Sequence, residues 1–425
     1  MAIVMFISLL ILLLLSVPVA LSLGLASSIS LVSDGNMPLI VLIQRMFAAL
    51  DLFPLMAIPF FILAGSLMET GGISRRLVNF ANSLVGTMTG GLAVVTVVTA
   101  MFFSAISGSS AATTAAIGSI LIPAMVKNGY DVGFAGATTA VSGELGVIIP
   151  PSIPMIIFGI SAGVSMTDLF IAGFLPGIFI GGSLILLVWF LAKRKGYQGD
   201  TGITWAMRVK AFKEAILALM MPVIILGGIY GGIFTPTEAA VVAVVYSFIV
   251  GVFIYREITW KNLIEIFSKS AITTSIIMII IANAGMFGWI LTREQVPQQV
   301  AAFFTSFSSS PIIFLALVNV LLLFVGMFFE TSASIIILAP LLTPIAVTLG
   351  IDPVHFGMIM IVNLAMGMVT PPVGVNLFVA CQVANIKLER LTKALIPFFL
   401  VLVLDILIIT YFPALSTWLP SILKK

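Results

Sequence analysis

Charged residues are scarce in this chain. Asp, Glu, Lys and Arg make up 8% of its 425 residues, whereas 61% are hydrophobic. A soluble protein could not cover its surface with so few charges, so the composition excludes a soluble globular fold. Cysteine and histidine occur once each, as Cys381 and His355. A single cysteine excludes an internal disulfide, and a single histidine argues against a multi-histidine metal centre.

Apolar runs of about twenty residues recur along the chain. A helix that rises about 1.5 Å per residue needs about that many residues to cross hydrocarbon about 30 Å thick. The sequence therefore predicts an all-α, polytopic membrane protein, and the first run is too long for the core of a signal peptide. The predicted full spans are residues 2–32, 52–70, 134–163, 167–192, 213–234, 237–255, 271–292, 354–384 and 392–412.

Two further apolar stretches, residues 90–127 and 311–349, carry small polar residues at their centres. These centres are Ser107–Ser110 in the first stretch and Glu330–Ser334 in the second. We interpret both stretches as re-entrant helical hairpins, which enter and leave the membrane on the same side.

The distribution of Lys and Arg sets the predicted topology. With the N-terminus in the cytoplasm, fifteen basic residues lie inside and only Arg45, Arg293, Lys424 and Lys425 lie outside. This is a strong positive-inside bias, and an odd number of crossings in either hairpin would remove it. The first hairpin is then expected to open to the cytoplasm and the second to the opposite side.

Two pairs of adjacent prolines interrupt the apolar runs 134–163 and 354–384. Pro150-Pro151 and Pro371-Pro372 are 221 positions apart. Adjacent prolines remove backbone donors and crowd the preceding turn, so each run is predicted to break into two half-helices at membrane depth. Paired interruptions of this kind indicate the substrate and ion sites of a transporter.

The similarity between the two halves extends beyond the prolines. At the same offset of 221, Pro123, Gly129, Asp131, Gly136 and Gly146 all meet identical residues. Four full spans separate the two broken helices, so these helices should cross in opposite directions. We therefore predict two inverted repeats, residues 1–200 and 201–425, the second including a connector span. Each repeat would also contain an amphipathic arm, at 74–86 and 296–308. Simple structural duplication is the alternative.

A hairpin tip that faces a broken helix offers carbonyl oxygens, hydroxyl groups and the positive ends of helix dipoles. Carbonyls and hydroxyls suit Na⁺, and half-helix N-termini suit a carboxylate. The alternative is that the small residues only allow close helix packing. The predicted first cation site comprises Ser104, Ser107, Gly108, Ser109, Ser110, Gly143, Val147 and Pro150. The predicted second site comprises Gly326, Glu330, Thr331, Ser332, Gly367, Val369 and Thr370.

Three acids, Glu144, Glu238 and Glu330, lie in or beside interrupted segments. Ionisable groups at membrane depth are costly and are usually functional or paired, so a proton-coupled carrier would use one of them. For Glu238 we favour a helix cap, because Thr235-Pro236-Thr237-Glu238 has the pattern of a helix start.

Several motifs carry a resemblance to a known family. They are residues 107–114 (SGSSAATT), 142–159 (SGELGVIIPPSIPMIIFG), 232–240 (GIFTPTEAA) and 350–378 (GIDPVHFGMIMIVNLAMGMVTPPVGVNLF). Together they closely resemble the large membrane subunit of tripartite ATP-independent periplasmic (TRAP) transporters, the DctM family. The resemblance covers essentially the whole chain.

This resemblance implies Na⁺-driven uptake of an organic acid, such as a C4-dicarboxylate or sialic acid, across the bacterial inner membrane. It also implies an elevator mechanism and two partners, a separate four-helix small membrane subunit and a soluble periplasmic binding protein. Nucleic acid is not an expected partner, no cofactor is expected, and Na⁺ is the expected coupling ion. The side chains of Thr113, Thr114 and Asn376 are predicted substrate contacts.

Other function classes fit the sequence less well. A channel needs a continuous hydrated path, whereas opposed hairpins in inverted repeats favour alternating access. An enzyme needs a catalytic constellation, and we find no convincing nucleophile elbow, paired aspartates at depth or zinc ligands. The chain also lacks an ATP-binding loop, so a primary pump would require a separate motor subunit.

Overall fold

The computed structural model describes residues 1–200, 202–307 and 310–423, without the side chains of residues 301 and 303–307. Within these ranges the fold consists of helices, turns and loops, with no β-strand. The all-α prediction is therefore confirmed.

The first half of the chain contains eleven helices, of which α8, α9 and α10 together form the first broken span. A 3₁₀ turn, Phe53–Met56, leads directly into α4. The bounds are α1 Ala2–Leu14, α2 Val19–Asp34, α3 Ile40–Leu50, α4 Ala57–Thr70, α5 Ile73–Val85, α6 Gly91–Ser107, α7 Ser110–Lys127, α8 Val132–Gly143, α9 Leu145–Ile148, α10 Ile153–Ala162 and α11 Met166–Lys195.

The second half contains ten helices, and a π-helical segment, Ile249–Ile254, continues α13. The bounds are α12 Trp205–Tyr230, α13 Pro236–Phe248, α14 Trp260–Arg293, α15 Val296–Phe307, α16 Pro311–Phe328, α17 Thr331–Thr348, α18 Pro353–Gly367, α19 Val375–Ala384, α20 Leu388–Tyr411 and α21 Ala414–Leu423.

In the described part of the chain, nine helices are long and apolar enough to cross a membrane, counting hairpin legs α7, α16 and α17. The bent combination of α8, α9 and α10, with an angle of 43°, can make a tenth span. Six predicted full spans correspond to single continuous helical segments: 52–70, 167–192, 213–234, 237–255, 271–292 and 392–412. The chain is thus a multi-pass membrane protein.

Packed helix pairs and helix breaks occur where the polar centres and prolines indicated, and the re-entrant course of the two pairs remains a prediction. Helices α6 and α7 pack together on either side of Gly108 and Ser109, and α16 and α17 are separated only by Phe329 and Glu330. Gly108 has a positive φ of 60°, which glycine adopts without a steric penalty. Ser109 then caps α7 by accepting a hydrogen bond from the amide of Ala112.

The prediction of one continuous span at residues 2–32 is wrong. The chain forms two short helices, α1 and α2, which turn at Ser16–Pro18 and pack against each other. The hydroxyl of Ser30 donates a hydrogen bond to the carbonyl of Met1, 2.9 Å away. Proline lacks the amide donor that a continuing helix requires, which explains why the apolar run folds back here.

The N-terminus, which is predicted to lie in the cytoplasm, contacts the loop after α14, which is predicted to lie outside. The amino group of Met1 lies 3.3 Å from a carboxylate oxygen of Glu294. The sequence-based topology placed these two residues on opposite sides of the membrane, so the two assignments are incompatible.

The order of elements repeats along the chain. Span, arm, hairpin, broken helix and span follow one another as α4 to α11 and again as α14 to α20. The arms at 74–86 and 296–308 correspond to α5 and α15, except that residue 308 lies outside the described residues, whereas α21 was not predicted. Inversion of the two repeats and the division at residue 200 remain predictions.

Candidate functional site

Both hairpin tips border one cavity of about 420 Å³. Its other walls come from the two broken helices and from spans α4 and α14. The lining residues are Phe103, Ser107–Ala112, Val147, Ile153, Pro154, Glu330, Ser332, Met368 and Val375 on the hairpin side, with Ile62, Gly65, Ser66, Glu69, Thr273, Ile276, Ile277 and Ile280 on the span side.

Oxygen atoms cluster at the first tip. The hydroxyls of Ser107 and Thr113 lie 2.7 Å apart, and each donates to the carbonyl of Ser109, at 3.2 and 2.8 Å. Both side chains are buried. The tip thus holds three neutral oxygens within hydrogen-bond reach of one another.

The first break fits closely against this tip because it presents glycines. A Cβ atom added to Gly146 would lie 2.5 Å from the Ser109 carbonyl oxygen, and one added to Gly143 would overlap the hydroxyl of Thr114. In addition, the amide of Ile153 donates to the carbonyl of Gly108 at 3.3 Å. Tip and break therefore form one packed unit.

The second tip and break have a similar arrangement. The backbones of Gly326 and Gly367 are in direct contact, since a Cβ on Gly367 would lie 2.4 Å from Cα of Gly326. The amide of Gly374 donates to the carbonyl of Met327 at 3.2 Å. Gly367 and Gly374 occupy the same repeat positions as Gly146 and Ile153, although their partners in the hairpin are different residues.

The two tips differ in charge. Glu330 caps α17, because its carboxylate accepts from the amides of Ser332 and Ala333 at 2.8 and 3.3 Å and from the Ser332 hydroxyl at 3.0 Å. The residue at the same position in the first repeat is Ser109, which is neutral. The second tip thus carries a carboxylate where the first carries a hydroxyl.

Met368, in the second break, links the two tips. Its sulfur accepts hydrogen bonds from the hydroxyl of Ser110 at 3.3 Å and from that of Thr331 at 2.9 Å. The first hairpin therefore contacts the second break directly. Sequence reasoning named the residues on either side of Met368 but not Met368 itself.

The remaining predicted cation ligands make several different contacts in this conformation. The hydroxyl of Ser104 donates to the carbonyl of Ala100, and that of Thr370 donates to the carbonyl of Met366. Pro150 packs against Gly173 of α11. Val147 lines the cavity. The side chains of Val369, Ser104 and Thr370 are all buried.

The predicted substrate contacts lie beside the cavity rather than in its described lining. Thr113 and Thr114 are fully buried. The hydroxyl of Thr113 lies beside that of Ser107, and the hydroxyl of Thr114 lies against Gly143. The Asn376 amide donates to the carbonyl of Ala140 at 3.4 Å, and its side-chain oxygen has no partner among the described residues.

The intramembrane acids have different environments. Glu238 forms a capping box with Thr235, which confirms the prediction of a helix cap. Glu144 is 1% exposed, and neither of its carboxylate oxygens has a hydrogen-bond partner within the described ranges. Asp405 of α20, also buried, accepts a hydrogen bond from the hydroxyl of Ser183 at 2.5 Å.

Sequence reasoning missed the span side of the cavity. Ser66 and Glu69 of α4 and Thr273 of α14 face the hairpin tips. Glu69 lies near the end of the predicted span 52–70, and a carboxylate at such a position is a sequence signal for a functional residue. The sequence carried no signal that α4 and α14, more than 200 residues apart, would share a wall.

The donor set at both tips fits a hard monovalent cation such as Na⁺. Hydroxyl and carbonyl oxygens gather at the first tip, and a carboxylate and a hydroxyl at the second. Hard cations prefer oxygen ligands of these types. In the described part of the chain, His, Cys, Asp and Glu form no group of three that could hold a metal ion.

Comparison with protein families gives a match to the family described as tripartite ATP-independent periplasmic transporter, DctM component, over residues 6–415. The chain belongs to the DctM family. The family resemblance of the motifs is thereby confirmed.

This DctM chain has close curated relatives. It is 46% identical over 403 residues to the isethionate TRAP transporter permease protein DctMQ of Oleidesulfovibrio alaskensis, covering 94% of the chain but 63% of that relative. It is 44% identical over 428 residues to the C4-dicarboxylate TRAP transporter large permease protein DctM of Vibrio cholerae, covering 96% and 94%. The sialic acid TRAP transporter large permease protein SiaM of the same species is 40% identical over 379 residues, with 89% of each covered.

A solved structure supports the fold. The Alcanivorax borkumensis YdaH transporter superposes with a TM-score of 0.63 over 89% of this chain and 87% of that one, at 15% sequence identity. The curated relatives are transporter permeases, so the prediction that this DctM chain is a transporter and not an enzyme is confirmed.

Proposed function

We propose that this TRAP large permease takes up an organic acid in symport with Na⁺. The observation that carries the proposal is the convergence of both hairpin tips on one cavity, with oxygen clusters beside it. A cation bound between a tip and its break would fix the tip and complete the cavity wall. Ion binding would thereby be coupled to substrate binding.

The substrate class follows from the relatives. Their names specify isethionate, C4-dicarboxylates and sialic acid, which are all organic anions. The N-termini of α7, α10, α17 and α19 lie at the cavity and would favour an anion through their dipoles. In line with these names, we propose a periplasmic binding protein that delivers the acid and a small membrane subunit as partners, in the bacterial inner membrane.

We further propose that the N-terminus lies outside. If α1 and α2 form a hairpin, both ends of residues 2–34 share one side. Met1 then joins Arg45 and Glu294 on the outer face, and the positive-inside bias is unchanged. In this proposed orientation, Ser66, Glu69 and Thr273 lie towards the cytoplasmic ends of α4 and α14.

Transport would follow an elevator mechanism. Hairpins and breaks are packed into one unit by the contacts at Gly146 and Gly367, whereas α4 and α14 form the facing wall of the cavity and also pack against α6 and α17. We propose that this unit moves along α4 and α14, so that the cavity opens alternately to the two sides.

Uptake into proteoliposomes tests the proposal. The chain is reconstituted with its small subunit and binding protein, and labelled sialic acid, succinate or isethionate is offered with an imposed Na⁺ or proton gradient. We expect accumulation only with inward Na⁺ and the binding protein. Accumulation driven by a proton gradient alone would instead support proton coupling through Glu144 or Glu330. Failure to accumulate any acid under either gradient would contradict carrier function.

A further inference from the structure

Two arginines stack on the same indole ring. The guanidinium carbons of Arg45 and Arg293 lie 4.9 and 5.6 Å from the centre of the Trp289 ring. The nearby acid, Glu294, pairs with the amino group of Met1. Over the described ranges, neither arginine forms an ion pair. Two uncompensated positive charges are therefore held close together at one point.

A groove of about 420 Å³ lies beside this cluster. It is lined by Met37, Val41, Gln44, Arg45, Ala48 and Trp289. Gln44 and Arg45 are exposed, so a guanidinium and an amide can both donate hydrogen bonds to a ligand in the groove. Such donors suit an oxyanion, and a phosphate accepts from arginine with particular strength.

The helix that carries Arg45 exposes an apolar stripe. Ile40, Ile43, Phe47 and Leu50 of α3 are 53, 62, 70 and 38% exposed, and their spacing places them on one face. Helix α3 packs along α14 and has no buried residue. A short amphipathic helix of this kind lies at a membrane surface, with its apolar face in the acyl region. Trp289 and the arginines then lie at the depth of the headgroups.

We propose that this groove binds the phosphate headgroup of an anionic phospholipid. Arg45 and Arg293 bind the phosphate, Gln44 donates to the glycerol region, and the acyl chains cover the stripe from Ile40 to Leu50. The apolar stripe decides between ligand sources, because a free anion or an acidic soluble protein would leave it uncovered.

Thermal unfolding of the purified, delipidated chain in detergent tests the site. Phosphatidylglycerol and phosphatidylcholine with identical acyl chains are added separately, and inorganic phosphate is a third addition. Phosphatidylglycerol should give the largest stabilisation. In the double variant Arg45→Gln/Arg293→Gln, the phosphatidylglycerol concentration for half-maximal stabilisation should rise about thirtyfold. Lys127→Gln/Lys213→Gln removes two exposed charges elsewhere and should leave it unchanged.

Other outcomes overturn the assignment. Equal stabilisation of the arginine variant and the unaltered chain would show that the lipid binds elsewhere. Inorganic phosphate acting as well as the lipid would identify a free-anion site. Unchanged lipid binding with impaired delivery from the binding protein would identify a protein-docking surface.

Discussion

Replacement of Gly367 by alanine should separate the second hairpin from its broken helix. The added Cβ would lie 2.4 Å from Cα of Gly326, whereas ordinary contact begins at 3.4 Å. The nearest atoms, Cα and the carbonyl carbon of Gly326, belong to the backbone and cannot rotate away. Helices α16 and α18 must therefore move apart by about 1 Å. Overpacking of this kind costs about 1–3 kcal/mol. We expect a lower unfolding temperature in detergent and a higher Na⁺ concentration for half-maximal uptake.

Gly182→Ala is the matched control. Gly182 is also helical, but a Cβ there would meet no atom within 4 Å. Alanine should therefore leave stability unchanged or raise it by about 1 kcal/mol, because glycine is the poorer helix former. Equal unfolding temperatures and equal Na⁺ dependence for the two variants would refute the packing of hairpin on break.

Three further predictions follow from contacts elsewhere in the chain. Met368→Leu removes the sulfur that links the tips while keeping the volume, so it should lower the cooperativity of Na⁺-dependent uptake; an unchanged Hill coefficient would count against the link. Glu257→Gln weakens the ion pairs of Glu257 with Arg75, at 2.9 Å, and with Arg76, at 2.7 Å. The free energy of unfolding should fall by about 1 kcal/mol or less, and by a smaller amount at high salt. Thermal unfolding at two salt concentrations measures this change. Burial alone would raise the pKa of Asp131, but hydrogen bonds from a backbone amide and Arg390 outweigh it and lower the pKa. The resulting stability is present above about pH 4 and is lost as pH falls through the lowered pKa, so unfolding of Asp131→Asn should lack this acid-side decrease.

Local sequence signals predicted much of the fold. Paired prolines and small polar centres mark sites where a membrane helix cannot continue, and the breaks near Pro150 and Pro371 and the tips near Ser109 and Glu330 all occur there. The same logic holds at the N-terminus. Pro18 interrupts an apolar run just as the later prolines do, and the chain folds back at that residue.

The candidate site was predictable only in part. Residues within one tip or break are close in sequence, so their clustering follows from the local pattern. Contacts across the molecule depend on how helices pack. Met368 bonding to both tips and Glu69 facing them from α4 are contacts of this kind, and apolar periodicity alone does not specify them.

The Na⁺ dependence of uptake tests the central proposal most directly. It is measured in proteoliposomes for the unaltered complex, Ser107→Ala, Thr370→Ala and a control, Ser119→Ala, which changes an exposed residue outside the cavity lining. The account predicts a higher half-saturating Na⁺ concentration for Ser107→Ala and Thr370→Ala and no change for Ser119→Ala. Identical Na⁺ dependence in all four proteins would contradict cation sites at the hairpin tips and breaks.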